Sequence, residues 1–101
     1  MDAVLRAIAE PHRQEILRLL WQVERPAGEI AAHFDVSRPA ISKHLRILKE
    51  AGLVEERRLG TQRLYRAQPE RLAQARRFLD SFWGDSLQAI KRAVEAQKER
   101  S

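Results

Sequence analysis

The sequence contains no cysteine. Disulfides, thiolate nucleophiles, cysteine-type zinc sites and iron–sulfur clusters are thereby excluded, and packing must hold the fold. Nor is there a run of about 18 apolar residues that would cross a bilayer, so no membrane partner is expected. The opening Met1-Asp2-Ala3 lacks the basic, apolar and small-residue regions of a secretory signal, and the expected location is cytoplasmic. Glycine is scarce and scattered over Gly28, Gly52, Gly60 and Gly84, which leaves no phosphate-cradling glycine loop. Asp80 and Asp85 stand five apart and point different ways on a helix. With no nucleophile and base pair visible either, the chain is not expected to be an enzyme and needs no cofactor.

What the sequence does hold is charge. Its 101 residues are 44% hydrophobic and 33% charged, enough for one domain spanning 1–101 with one modest core beneath a heavily ionised surface. Residues 1–36 carry four basic and six acidic side chains, residues 37–66 carry eight and three, and residues 67–101 carry seven and five. The basic surplus therefore sits in the middle thirty residues. A concentrated positive field suits a polyanion partner, although a solvated basic face gives the same count.

Apolar spacing and punctuation divide the chain into helix, helix, helix, helix, hairpin, helix. Asp2 to Ala9 spaces Val4, Leu5 and Ile8 at helical intervals. Pro11 opens a second helix that runs to about Gln22, with Ile16, Leu17, Leu20 and Val23 on its apolar face. Arg25-Pro26 breaks the pattern before a brief helix from Gly28 to Phe34. Ser37 then serves as an N-cap, Pro39 falls in the first turn, Ile41, Leu45 and Leu48 line one side, and Gly52 stops the helix. Leu53 to Arg58 and Arg63 to Ala67 flank a glycine-containing turn and read as two short strands. Pro69 begins a last helix that reaches almost to the end, with a bend expected at Gly84. The fold class is mainly α with a small β-hairpin.

The third and fourth helices form a helix-turn-helix candidate, in which the second helix offers its first residues to a major groove. Asp35 occupies the bend and is expected to take a left-handed conformation. If Ile41, Leu45 and Leu48 face inward, 100° per residue turns Pro39, Lys43, Arg46 and Glu50 outward, with Ala40 and Ser42 on the flanks. Small residues let a backbone approach, while Arg38, Ser42 and Lys43 donate to base edges or phosphates. Arg57, Arg58, Arg63 and Arg66 flank the Gly60-Thr61 turn and suit a DNA-clamping wing. Pairing of Glu55 and Glu56 with those arginines would instead make the charges ordinary sheet decoration.

These residues resemble the ArsR-type winged helix-turn-helix transcriptional regulators of bacteria. The resemblance is carried by Ser37-x-x-x-Ile41-Ser42-x-His44-Leu45-x-x-Leu48-x-x-Ala51-Gly52-Leu53-Val54 and by the opening Ala9-Glu10-Pro11-His12-Arg13-Gln14-Glu15-Ile16-Leu17. It implies a homodimeric repressor on a double-stranded DNA operator with an inverted repeat. Carried over by position, Ser37, Arg38, Pro39, Ala40, Ser42 and Lys43 form the reading surface with Arg46 beside them, and Arg57, Arg58, Gln62 and Arg63 lie in the wing. His44 is placed either at the helix flank or on a phosphate.

Many members of that family sense metals, yet the family's Cys-x-Cys positions fall on Pro26 and Gly28. The carboxylate and histidine positions of the final helix fall near Phe82 and Ala93, and no histidine follows His44. His12, His33 and His44 lie on three different expected helices, so no metal site and no metal response are expected. The last helix is too rich in bulky apolar residues for one small domain. Phe78, Leu79, Phe82, Trp83, Leu87 and Ile90, with Leu5 and Ile8, are therefore assigned to a dimer seam, which makes both termini helical dimerisation elements. The competing assignment places several of these aromatics in the core of a single copy, and Trp21 suits either cluster. Release is assigned to an unidentified small-molecule effector at that seam or to none, with simple autoregulation. A winged-helix protein-interaction module and a sequence-nonspecific DNA binder are the competing readings.

Overall fold

The computed structural model describes the backbone of residues 1–100 and the side chains of residues 1–81 and 92–98. The order is α1 (Asp2–Ile8), α2 (Pro11–Leu19), β1 (Arg25–Pro26), α3 (Ala27–Ala31), α4 (Arg38–Glu50), β2 (Val54–Leu59), β3 (Gln62–Ala67) and α5 (Pro69–Arg100). The five helices and the hairpin fall where periodicity places them. Helices α2 and α3 are shorter at their C-terminal ends than the apolar pattern suggests.

Helix α2 stops early because Gln22 takes a left-handed φ of 59° and swings the chain toward the sheet. Val23, expected on the inner face, is consequently exposed. Gln22, and not Asp35, is the non-glycine residue with positive φ among those described. The bend between α3 and α4 is thus made without a left-handed residue.

The sheet has three strands rather than two, in the antiparallel order β1-β3-β2. Arg25-Pro26 does break helical periodicity, but it then pairs with β3 through Arg25 with Tyr65 and Pro26 with Leu64. Pro26 has no N–H to donate, which an edge strand tolerates. In the hairpin, β2 and β3 register from Val54 with Ala67 to Leu59 with Gln62. Gly60 supplies the positive φ, 63°, that the two-residue loop needs.

One core joins these elements. Ile16, Leu17 and Leu20 of the α2 region meet Ile30 of α3, Ile41, Leu45 and Leu48 of α4, and Leu53, Val54 and Tyr65 at the hairpin base, all buried. Val4 and Ala7 bring α1 onto it. Ala75, 2% exposed, is the one buried residue of α5 among those described, with Leu72 packed beside it. Beyond that anchor α5 runs out of the body, and it continues through Gly84 as helix, without the expected break. The longest dimension, 58 Å against 28 and 21 Å, reflects a helix whose 32 residues rise about 48 Å. No helix among the described residues is long and apolar enough to cross a membrane.

Candidate nucleic-acid interface

Helix α4 is held at both ends and along one side. At its start the Ser37 hydroxyl accepts from the Ala40 N–H at 3.2 Å, with Pro39 in the first turn. At its end the Leu53 N–H donates to the Leu48 carbonyl at 2.9 Å and the Gly52 N–H to the Lys49 carbonyl at 3.0 Å. That double closure requires a left-handed residue at Gly52, whose φ is 77°. Burying Ile41, Leu45 and Leu48 contributes roughly 1.5–3 kcal/mol each and fixes the helix's rotation. Arg38, Pro39, Ser42, Lys43 and Arg46 are thereby turned to solvent.

These exposed residues line one wall of a groove of about 1150 Å³. Thr61, Gln62 and Arg63 at the hairpin tip line the other wall, and Glu56 and Tyr65 lie between them. The structure thus gathers Arg38, Pro39, Ser42, Lys43, Arg46, Gln62 and Arg63 of the sequence-derived set into one cationic concavity. Arg58 pairs with Arg63 in the register, so it shares that face of the hairpin. Ser37 is engaged in capping, and Ala40 is half-buried beside the groove.

Arg57 departs from expectation. Strand alternation puts it on the opposite face, where its Nε and Nη2 donate to the two Glu24 oxygens at 2.7 Å each. The bond from Arg57 holds the Glu24 carboxyl below its ordinary range. Arg57 therefore ties the hairpin to the segment before β1 and does not line the groove. The pairing spans 33 residues, and no local pattern announces it.

Acid groups also enter the site. Glu56 faces Lys49 of α4 at 3.2 Å and Arg63 of β3 at 3.6 Å. The Tyr65 phenol is pushed up by burial first and then by the neighbouring Glu56 carboxylate. The sequence reading that set Glu55 and Glu56 against the wing arginines is half realised: Glu56 meets Arg63, while Glu55 accepts from Gln68 Nε2 at 2.6 Å.

Behind α4 lies a polar cluster that sequence reasoning dispersed. Glu10 caps α2, accepting from the Arg13 N–H at 2.9 Å, and its other oxygen lies 2.8 Å from His12 Nδ1. Burial would raise the Glu10 carboxyl, but the bonds from His12 and Arg13 outweigh it and hold it at about 2. Arg13 donates to the Ala7 and Arg6 carbonyls at the end of α1 and lies 3.2 Å from His44 Nδ1 on α4. The His12 and His44 rings stack at 5.6 Å. His44 therefore packs at the helix flank, against His12 and Arg13. Burial lowers its pKa, with the nearby Arg13 acting in the same direction and Glu10 opposing. His12 and His44 do converge, contrary to expectation, and one donor atom from each and from Glu10 lies within 4.8 Å of the others.

The α5 side of the body is apolar. Ile8, Leu17, Trp21 and Leu72 line a groove of about 550 Å³ with Gln14 and Arg18 at its edges. Trp21 is 44% exposed and belongs to this surface rather than to the core. Leu5, Ile8, Phe78 and Leu79 are half-buried, whereas the side chains of Phe82, Trp83, Leu87 and Ile90 lie outside the described residues.

A capped helix presented beside a β-hairpin, both cationic toward a shared groove, defines a winged helix-turn-helix DNA-binding module. Residues 10–56 match the family model described as "Bacterial regulatory protein, arsR family". The chain is 38% identical over 96 residues to the HTH-type transcriptional regulator Rv2034 of Mycobacterium tuberculosis, covering 95% of this chain and 90% of that one. It is 47% identical over 60 residues to the transcriptional repressor SdpR of Bacillus subtilis, covering 59% and 67% of the two chains. Among solved structures, a possible transcriptional regulator for arsenical resistance superposes with a TM-score of 0.81 at 46% identity, over 92% of this chain and 96% of that one. The homodimeric winged helix-turn-helix DNA-binding domain of Mb0332 from Mycobacterium bovis superposes with a TM-score of 0.66 at 34% identity, over 87% and 82%. The chain belongs to the arsR family of bacterial transcriptional regulators.

Proposed function

We propose that the protein is a homodimeric repressor that occupies an inverted-repeat operator, its own promoter included, and thereby blocks RNA polymerase. The observation that carries this reading is the groove: a core-anchored helix with Arg38, Ser42, Lys43 and Arg46 exposed along it, facing a hairpin that offers Gln62 and Arg63. In this reading α4 enters the major groove while the hairpin tip holds the flanking backbone. The names of the similar proteins, a repressor in one case and a homodimeric domain in another, support it.

Dimerisation follows from the incompletely covered apolar surface of α1, Trp21 and α5. A twofold there sets two copies of α4 about 34 Å apart, one turn of duplex. Equilibrium sedimentation of the free chain tests the dimer directly.

Metal control has little chemical support in this chain. The family's cysteine positions hold Pro26 and Gly28, and the Glu10, His12 and His44 cluster has the Arg13 guanidinium against His44 Nδ1, where a metal would need the free lone pair. Zinc titration is expected to leave operator affinity unchanged; release of the operator by stoichiometric zinc would refute this. Any effector is then a small molecule held at the seam.

Footprinting upstream of the protein's own gene, with affinity measured against random duplex at fixed salt, tests the whole reading. Protection of a palindrome, bound at least 1000-fold more tightly than random sequence, is expected. Equal affinities would make the protein a nonspecific binder, and no duplex binding would leave a protein-interaction module. Arg38→Ala or Lys43→Ala should weaken operator binding by roughly 10- to 100-fold, and Arg57→Ala much less, because Glu24 already engages it.

A further inference from the structure

Two carboxylates line the groove: Glu29, which is engaged by Arg25, and Glu56. Glu56, whose side chain is 17% exposed, stands between the two elements that line the cationic walls. Its two oxygens are divided between them: Oε2 lies 3.2 Å from Lys49 Nζ on α4, and Oε1 lies 3.6 Å from Arg63 Nη1 on β3. Lys49 and Arg63 are otherwise more than half exposed, so the carboxylate is reached by cations that also reach solvent. A phosphodiester has the same valence as a carboxylate, one negative charge over two free oxygens, and takes the same donors.

We propose that Glu56 is an internal stand-in for a backbone phosphate, pairing Lys49 and Arg63 in the free protein so that neither adds fully to duplex affinity. The inference rests on the reading of the groove as the duplex site and adds a named residue that sets how strongly that site attracts any DNA. Its physical basis is counterion release. A lysine or arginine that is unpaired in the free protein gains from each phosphate contact the entropy of a released ion, whereas one already paired with a carboxylate only exchanges partners. Glu56 also places a negative charge where phosphates must come, which weakens sequence-independent binding first because that binding is almost wholly electrostatic. Base contacts along α4 are untouched by it. The result is a regulator held less firmly by the bulk of the genome.

The test compares Glu56→Gln with Glu55→Gln on random duplex across a salt series. Both remove one negative charge, but Glu55 accepts from Gln68 and does not line the groove. Glu56→Gln should bind random duplex roughly 5- to 30-fold more tightly near 0.15 M salt, with the salt slope steeper by about one to two. Glu55→Gln should change affinity no more than about twofold, as a distant screened charge does. Equal effects of the two variants, or none, overturn the proposal. Lys49→Met in the natural background provides a second reading that does not depend on how the glutamine variant folds. It should leave the slope within about half a unit of the original, while Lys43→Met lowers it by about one. Equal losses for the two lysines would show that Lys49 is not held by Glu56. Failure of the unaltered protein and every variant to bind any duplex overturns the groove reading itself, and this proposal with it.

Discussion

Helices α4 and α5 are built on opposite principles. Helix α4 has 13 residues, three of them buried, with closed hydrogen bonding at both ends. Helix α5 has 32 residues and is anchored to the body at Ala75 and Leu72 near its start, beyond which it extends outward. The first is positioned by its own chain. The second has Phe78 and Leu79 half-buried beyond that anchor and is the helix assigned to the proposed seam. A helix that must present side chains to a duplex at fixed angles needs a rigid seat, whereas a helix that joins copies can leave its seat to the other molecule.

The contrast is broken most strongly from the α4 side. Leu45→Ala should cost about 2–5 kcal/mol of unfolding free energy, read by urea denaturation, and should abolish duplex binding with it. On the α5 side, Leu79→Glu should raise the dimer dissociation constant by roughly 100-fold, about 2.7 kcal/mol, because a carboxylate would have to be buried at the proposed seam. Its circular dichroism at concentrations where the unaltered chain is also monomeric should match, since the half-buried Leu79 lies outside the core cluster. A large loss of monomer stability would mean that Leu79 is core and that the division between the two helices is misplaced.

The smallest effect is a pH dependence centred on the polar cluster behind α4. Burial lowers the pKa of His44, so the unfolded chain binds the proton more readily than the native one. The stability this contributes is complete above the ordinary histidine value of 6.5 and is lost as pH falls below it. Glu10, held at about 2 against an ordinary 4.5, adds stability above 4.5 that is lost as pH falls toward 2. Thermal melts should therefore weaken first just below pH 6.5, and His44→Asn should remove that first step while leaving the second.

Much of this architecture was legible because it is local. Ser37 and Pro39 at one end of α4, Gly52 at the other and the Ile41, Leu45, Leu48 spacing each report a constraint within one helix turn, and the exposed cationic face follows from them. Features decided by distant partners were not legible. Arg57 looked like its neighbours Arg58 and Arg63, and only the fold brings Glu24 beneath it. His12 and His44 seemed unrelated because periodicity gives the face a residue occupies but not which helix lies opposite. Strand β1 escaped because two residues, one a proline, carry no alternation to read. The third strand exists only because β3 was there to pair with.

The turn that closes α4 has a further consequence. Ala51, Gly52 and Leu53 are the whole connection between α4 and β2, and Leu53 is as deeply buried as Leu48 five positions before it. With so short a tether sunk into shared packing, the two jaws of the grip cannot open or close independently. Their separation is a property of the folded chain, so in the proposed complex the strain of fitting falls on the nucleic acid, and an operator that bends or twists cheaply is expected to be favoured at positions the protein does not touch.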